Sequence, residues 1–197
     1  METRTAFARR VAPIEECAFP ALPPSAIADT RLAALFAKWD DARAREGTSF
    51  PSRRHLPAES LARWWPALTL LEFEGPPAEL RLRIRVHGGD IVDLDGANHT
   101  GRLLAEAYPA NVQRVVRPGY AHVAECGRAV YHAREGGDLR GYPAVYEKLL
   151  LPLAGPDGAL RYILNCLYLT RAPDPPDRDF EPRYDAYDRF IARGSFD

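Results

Sequence analysis

Residues 148–169 read KLLLPLAGPDGALRYILNCLYL, and they decide the fold class of this chain. Two apolar runs flank Gly155-Pro156-Asp157-Gly158, a combination typical of a tight hairpin turn. In the second run, Leu160–Leu169, both faces of a strand would be largely apolar. A strand with two apolar faces must be covered on both sides. The sequence therefore predicts a sheet that lies between two layers, the second supplied by terminal helices, another subunit, or both.

A second hairpin precedes this one. Leu80–Val86 alternates strictly between apolar residues and arginine, and this period of two predicts a strand with Ile84 facing inward. The short apolar run Leu68–Phe73 lies before it, separated by Gly75-Pro76-Pro77. The outward residues of the alternating strand are Arg81, Arg83 and Arg85. They form either a docking surface for an acidic partner or a charged edge strand protected against unwanted pairing, and we favour the second interpretation.

Helical spacing appears around these hairpins. Asp29 or Thr30 can cap a helix that ends at Gly47. Further helices are predicted at Pro57–Trp65, at Asn111–Cys126 with an interruption at Pro118, and at Arg178–Ala192. Strands in hairpin pairs with no parallel alternation predict an α+β fold on an antiparallel sheet. The expected divisions are an extended lead-in over 1–27, a domain with N-terminal helices over 28–172, and a C-terminal helix or tail over 173–197.

Composition restricts the class of protein. The 197 residues suit one domain, and 26 basic against 27 acidic residues give a net charge of −1. No excess positive charge is available for a phosphate backbone, so we expect no nucleic-acid partner. No apolar run is long enough for a membrane span and no secretory signal is evident, so no membrane partner is expected. Three widely spaced cysteines without a C-x-x-C pair suggest a reducing, cytoplasmic compartment.

Four motifs in order resemble the single-domain PAS proteins of alphaproteobacteria. They are Leu56–Leu61, Leu82–Gly88, the turn Asp95–Arg102, and Leu151–Leu153 leading into Pro156-Asp157-Gly158. The resemblance runs from about Leu32 to Tyr168. It implies a five-stranded antiparallel sheet with short helices over one face and a small cavity between them. It also implies a role in sensing or dimerisation, with the signal passed by protein contact.

The resemblance bears on cofactors at two histidines. His99 stands where flavin-binding, light-sensing PAS domains carry the cysteine that bonds the flavin, and imidazole cannot form that adduct. His122 lies in the helix that carries the haem-ligating histidine of oxygen-sensing PAS domains. A lone helical histidine is more often a packed side chain, so haem is not favoured. No histidine pair has metal-ligand spacing, and the cofactor stays unassigned.

Several side chains are candidates for lining the cavity. Asn165, a polar residue on the apolar final strand, could hydrogen-bond a ligand, or could be satisfied internally as ordinary packing. The other candidates are Tyr131, Tyr146, Tyr120, His122 and Ile84.

The leading hypothesis is a cytoplasmic, non-catalytic sensory or regulatory protein that binds a small ligand, signals through protein contact, or does both. We expect a homodimer through the sheet face and terminal helices, and a signalling partner that the sequence does not identify. A small pocket enzyme of the isomerase or hydratase kind is the alternative, with Asp93, Asp95 or His87 as acid or base. A third interpretation is an interaction adaptor with a filled cavity.

Overall fold

A computed structural model describes residues 19–137, 143–171 and 189–196 of the chain. These residues form one sheet in which every strand pair is antiparallel, in the order β2-β1-β5-β4-β3-β6. Its strands are β1 (Leu68–Phe73), β2 (Leu82–His87), β3 (Ala129–Gly137), β4 (Pro143–Ala154), β5 (Leu160–Arg171) and β6 (Arg189–Phe196). The predicted α+β class with an antiparallel sheet is confirmed.

Both predicted hairpins are present. β4 and β5 pair around the Gly155–Gly158 turn, with Leu153 opposite Tyr162, and β1 pairs with β2. The alternation predicted a strand from Leu80, but β2 begins at Leu82. Leu80 ends the short 3₁₀ helix Pro77–Glu79 with a left-handed backbone (φ 51°), which takes it out of the ladder.

The helices are α1 (Thr30–Glu46), α2 (Gly89–Asp95), α3 (Leu104–Ala107) and α4 (Ala110–Cys126). The Asp29 carboxylate accepts the backbone N–H of Arg31 at 2.7 Å and of Leu32 at 3.3 Å, so α1 begins with a side-chain cap. Gly47 ends it in the left-handed region (φ 64°). α4 runs through Pro118 as one helix, and the predicted second helix is a 3₁₀ helix over Ala58–Ala67.

The predicted C-terminal helix is wrong where the structure describes it. Residues 189–192 belong to β6, which pairs with β3, while 172–188 lie outside the described residues. The aromatic and charged composition of 178–192 suggested a helix because no local pattern indicates a distant strand partner. β6 adds a sixth strand beside β3. Residues 20–22 lie against its end, where Leu22 N–H donates to Ser195 O and Ser195 N–H to Pro20 O, each at 2.9 Å.

One side of the sheet, called here the outer face, is covered by α1 and the 3₁₀ helix Ala58–Ala67. Trp39 Nε1 of α1 donates to Pro152 O of β4 at 2.9 Å, and Trp64 Nε1 of the 3₁₀ helix donates to Arg31 O at 2.8 Å. Indole N–H groups thus fasten this layer to the sheet and to itself. The sheet residues of this core include Leu68, Leu70, Leu149, Leu151, Leu164 and Cys166.

The opposite side, the inner face, packs against α3 and α4. Its core includes Leu71, Ile84, Leu104, Tyr120, Val123, Val130, Leu150 and Ile163. The two sheet faces are therefore both buried, as the apolar β5 predicted, and the chain itself covers them. The sheet face expected to form a homodimer is already occupied by α1. No helix in the described residues has the length and apolar content that crossing a bilayer requires.

Candidate functional site

A row of polar side chains interrupts the apolar inner face. Thr69 of β1 lies opposite Asn165 of β5 on one side and opposite His87 of β2 on the other. All three are more than nine-tenths buried. Side chains directly opposite in an antiparallel ladder lie within about 5.5 Å of each other at Cβ. The register therefore places three polar groups side by side, in a row that runs from the edge strand β2 across β1 to β5.

Two of these groups have an unpaired atom. Thr69 Oγ1 and Asn165 Oδ1 are buried and meet no hydrogen-bond partner in the described part of the chain. A buried polar atom without a partner costs about 1–3 kcal/mol, and folded proteins keep such atoms few. Because Thr69 and Asn165 lie opposite each other, one bound molecule could form hydrogen bonds with both of these atoms.

Lys148 of β4 extends the row. It is 6% exposed, and its Nζ donates to Tyr120 Oη of α4 at 2.8 Å. Burial lowers the pKa of the Lys148 amine to about 7; Arg134 lowers it further, and Asp95 opposes the shift. Burial also raises the pKa of Tyr120, so the phenol stays protonated. Together with Thr69, Asn165 and His87, Lys148 and Tyr120 form what we call the inner polar cluster.

Hydrogen bonds fix the His87 end of this cluster. His87 Nδ1 accepts the backbone N–H of His99 at 3.0 Å, so the ring carries its proton on Nε2 and donates it to Asp95 Oδ2 at 3.0 Å. Tyr108 Oη donates to the same carboxylate oxygen. Burial lowers the pKa of His87 although Asp95 opposes this, and burial with Asp95 raises that of Tyr108. The imidazole is held neutral in one tautomer.

The cluster can both donate and accept hydrogen bonds within a largely apolar surround. Asn165 Oδ1 can accept, Thr69 Oγ1 can do either, and the Lys148 amine can donate or, when neutral, accept. Asn165 and Lys148 are diagonal neighbours, since Leu150 lies opposite Asn165 and Lys148 is two residues away on the same face. Their Cα atoms are about 7–8 Å apart on that geometry. A small polar molecule could bridge them.

The structure brings together some of the predicted cavity residues and separates others. Asn165, Tyr120 and Ile84 lie on the inner side, and Tyr146 shares the strand face of Lys148. Tyr131, by contrast, lies on the outer face, where its hydroxyl donates to Glu147 Oε2 at 2.6 Å. The expected grouping of Tyr131 with Asn165 is wrong because their side chains leave opposite sides of the sheet.

His122 also lies apart from the cluster. It is two residues from Tyr120, so the helix turns its ring to a different side of α4, against Phe19 at 4.8 Å between centroids. Its Nε2 is buried without a hydrogen-bond partner in the described residues, and burial lowers its pKa. No cluster of His, Cys, Asp and Glu that could hold a metal occurs within the described ranges.

Lys148 and Thr69 were missed at the level of sequence. Lys148 begins the apolar run 148–153, where a charged residue resembles a solvated strand end. A signal was nevertheless present, because Lys148 shares strand parity with Leu150, and a lysine on an inward-facing parity is unusual. Thr69 could not be recognised in the same way, because threonine is common on both faces of strands.

The arginine stripe pairs with carboxylates of the same hairpin. Arg83 Nη2 donates to Glu74 Oε2 at 2.8 Å, and Arg81 Nη2 lies 3.8 Å from the same oxygen. Arg85 pairs with Glu72, which also receives Arg161 at 2.8 Å. These pairs occupy the guanidinium groups on the surface of β1 and β2, and docking of an acidic partner there stays a prediction.

The residues named for a pocket enzyme are partly assembled. His87 and Asp95 are hydrogen-bonded to each other, whereas Asp93 is exposed on α2. Both ring nitrogens of His87 are engaged, Nδ1 by a backbone amide and Nε2 by Asp95. In this geometry the imidazole presents no lone pair to a substrate.

The comparisons with known proteins agree with this architecture. The model of a family described as PAS domain matches residues 28–168. No curated protein sequence matches the chain.

Solved structures of VqmA from Vibrio cholerae share part of the fold. A VqmA dimer without target DNA gives a TM-score of 0.40 at 13% identity, over 58% of this chain and 51% of that chain. A VqmA–ligand–DNA complex gives 0.39 at 13%, covering 58% and 50%. VqmA bound to DPO gives 0.39 at 12%, covering 58% and 57%. The chain thus spans about half of those receptors, and similarity at this level extends to no ligand or activity.

These neighbours correct one expectation. The prediction of no nucleic-acid partner does not stand beside a similar structure described as a complex with DNA, although DNA binding is stated here of that receptor alone. The prediction rested on a net charge of −1, and a net charge averages over the whole surface. Such an average does not describe the local patches through which a partner is bound.

Proposed function

Because the chain belongs to the PAS domain family, we propose that it is a sensory or regulatory protein whose small ligand binds at the inner polar cluster. The ligand would lie between the inner face of the sheet and α4. It would carry a donor for Asn165 Oδ1 and an acceptor for Thr69 or Lys148. We propose a non-catalytic role in the cytoplasm, and membership of the alphaproteobacterial branch stays a prediction.

One observation carries the proposal. Thr69 Oγ1 and Asn165 Oδ1 are unpartnered, buried and on facing residues at the centre of the inner face. Ordinary packing favours an apolar side chain at such a position, since an unsatisfied polar atom is costly. A ligand that hydrogen-bonds both residues would recover that cost on binding.

The Tyr120–Lys148 hydrogen bond offers a route for the signal. It joins α4 to the sheet at 2.8 Å inside the core. A ligand that takes a hydrogen bond from Lys148 competes with Tyr120 and so favours a different packing of α4. The population can shift only by the difference in ligand affinity between the two arrangements.

Native mass spectrometry tests the proposal. Protein purified from its own host under mild conditions should retain a small molecule, identified after denaturation. Thr69→Val with Asn165→Leu should abolish retention and leave the fold intact by circular dichroism, because both changes remove the unpaired atoms. The matched control, Thr100→Val with Asn111→Leu, changes exposed residues of the same types and should retain the molecule.

Two results would contradict this function. Equal retention by both double variants would place the molecule elsewhere. Absence of any retained molecule, combined with a large gain in stability in the Thr69→Val and Asn165→Leu protein and no thermal shift with small amides and carboxylic acids, would favour the adaptor interpretation.

A further inference from the structure

A cleft lies on the outer side of the sheet, opposite the inner polar cluster. It has a volume of about 540 Å³ between the outer face and the segment 52–67, within the size range of small-molecule sites. Its floor is Leu68, Leu70, Val86 and Leu164. Two of these leucines, Leu70 and Leu164, are sequence neighbours of Thr69 and Asn165, whose side chains leave the opposite face. The cleft and the inner polar cluster are therefore separate sites on the same two strands.

The wall of the cleft holds an unusually exposed aromatic ring. Trp64 turns toward α1, where its indole N–H donates to Arg31 O. Trp65, the next residue, lines the cleft and is 42% exposed, more than any other large hydrophobic side chain in the described ranges. An indole left open to water beside an apolar floor is a feature of sites that bury it on binding.

The mouth of the cleft is basic. Arg53 and Arg54 line it, and no lining residue is acidic. Within the described part of the chain neither arginine forms an ion pair, unlike Arg83, Arg85 and Arg161. The Arg53 guanidinium lies over the Tyr162 ring, 4.9 Å from its centroid, which holds the charge at the mouth.

Two acidic residues lie near these arginines in sequence, and neither pairs with them in the described residues: Glu59 is exposed, and Glu46 binds other groups. Glu46 pairs with His55 and accepts the backbone N–H of Ser52 at 3.1 Å. The Glu46 carboxylate therefore binds His55 and Ser52. The guanidinium N–H groups of Arg53 and Arg54 can donate hydrogen bonds to an anion that enters the cleft. Arginine is suited to this because its planar fork binds a carboxylate through two parallel hydrogen bonds.

We propose that this outer cleft binds an anionic amphiphile, a carboxylate with a medium-length alkyl chain. The carboxylate would lie at Arg53 and Arg54, and the chain would lie along the leucine floor beneath Trp65. The cleft complements such a ligand in two ways. Its floor is apolar, and two arginines without an ion pair in the described residues stand at its mouth. This site goes beyond the inner cluster and does not depend on a ligand there.

Isothermal titration calorimetry of the full chain with decanoate, below its micelle concentration, tests the proposal. We expect saturable binding with one molecule per chain. Decan-1-ol should bind at least about tenfold more weakly, since it keeps the chain and lacks the charge. Arg53→Gln with Arg54→Gln should weaken decanoate by about tenfold or more and leave decan-1-ol unchanged.

Matched variants separate this site from others. Arg114→Gln with Arg117→Gln removes two exposed arginines of α4 and should not change decanoate affinity. Ala58→Trp, at an exposed lining position, should block the cleft without entering the core. Thr69→Val with Asn165→Leu should bind decanoate normally, so failure at the inner cluster and failure here are distinguishable.

The proposal is overturned if decanoate shows no saturable binding, or if binding survives both the Arg53/Arg54 and the Ala58→Trp changes. It is also overturned if light scattering shows a dimer that Ala58→Trp dissociates, because the cleft would then hold a second copy of the chain.

Discussion

Individual buried side chains set the pH response of this protein, and Lys148 is the clearest case. Its pKa is about 7 in the folded chain and about 10.4 in an unfolded one. Between these values the unfolded state holds one more proton, so stability rises with pH by up to about 1.4 kcal/mol per unit. Below pH 7 both states are protonated, and the cost of the buried charge is fully present.

Lys148→Met combined with Tyr120→Phe should therefore raise the free energy of unfolding at pH 7 by about 1–4 kcal/mol. Tyr120 is changed as well because its hydroxyl would otherwise lose its partner. Urea unfolding between pH 7 and 9 should show a flatter pH dependence than in the unmodified chain. Lys38→Met is the control, and an unchanged slope in the double variant would contradict the role given to Lys148.

Gly88 is constrained by a close approach of two backbones. A Cβ at this position would lie 2.3 Å from Pro66 O and 2.4 Å from Trp65 O, whereas one at Gly89 would meet nothing within 4 Å. Gly88→Ala should lower the free energy of unfolding by about 1–3 kcal/mol or more. Gly89→Ala, at the start of α2, should be neutral or stabilising. Chemical denaturation compares the two, and equal values would show that the Pro66 carbonyl can move aside.

At the level of elements, α1 depends on its N-terminal cap. Asp29→Ala removes the acceptor for the Arg31 and Leu32 amides and should cost about 1 kcal/mol. Burial raises the pKa of Asp29, but hydrogen bonds from Arg31 and Leu32 outweigh burial and lower it overall. The carboxylate is protonated as pH falls through this lowered pKa, so the destabilisation caused by Asp29→Ala should be smaller in acid. Asp41→Ala, an exposed change within α1, should stay within about 0.5 kcal/mol. Thermal unfolding at pH 7 and pH 3 provides the measurement.

Elements with local signals were predictable from the sequence. The β4–β5 hairpin followed from its Gly-Pro-Asp-Gly turn, and α1 from Asp29 and Gly47, because turns and caps are decided by neighbouring residues. β6 was not predictable, since its partner β3 lies about 60 residues away. Of the inner polar cluster, the sequence indicated Asn165 and Tyr120 as cavity residues and His87 only as an acid or base. Thr69 and Lys148 were missed because strand register alone brings them beside Asn165.

At the scale of the whole molecule, the described residues form two helical layers on one shared sheet, and this arrangement predicts cooperative unfolding. All three tryptophans, Trp39, Trp64 and Trp65, lie on the outer side. Leu150→Ala, on the inner face, should destabilise by about 2–5 kcal/mol. The tryptophan fluorescence and far-UV circular dichroism transitions should shift together. Leu149→Ala on the outer face is the paired control, and two separated transitions would show that the layers melt independently.

The contact between residues 20–22 and Ser195 also has a consequence for tethering. Because this contact holds both segments at one corner of the sheet, fluorophores attached just before Phe19 and just after Phe196 would report energy transfer close to its maximum. A protein that binds one of these segments would therefore contact the other as well, and a pull on residues 20–22 would first break their two hydrogen bonds to Ser195.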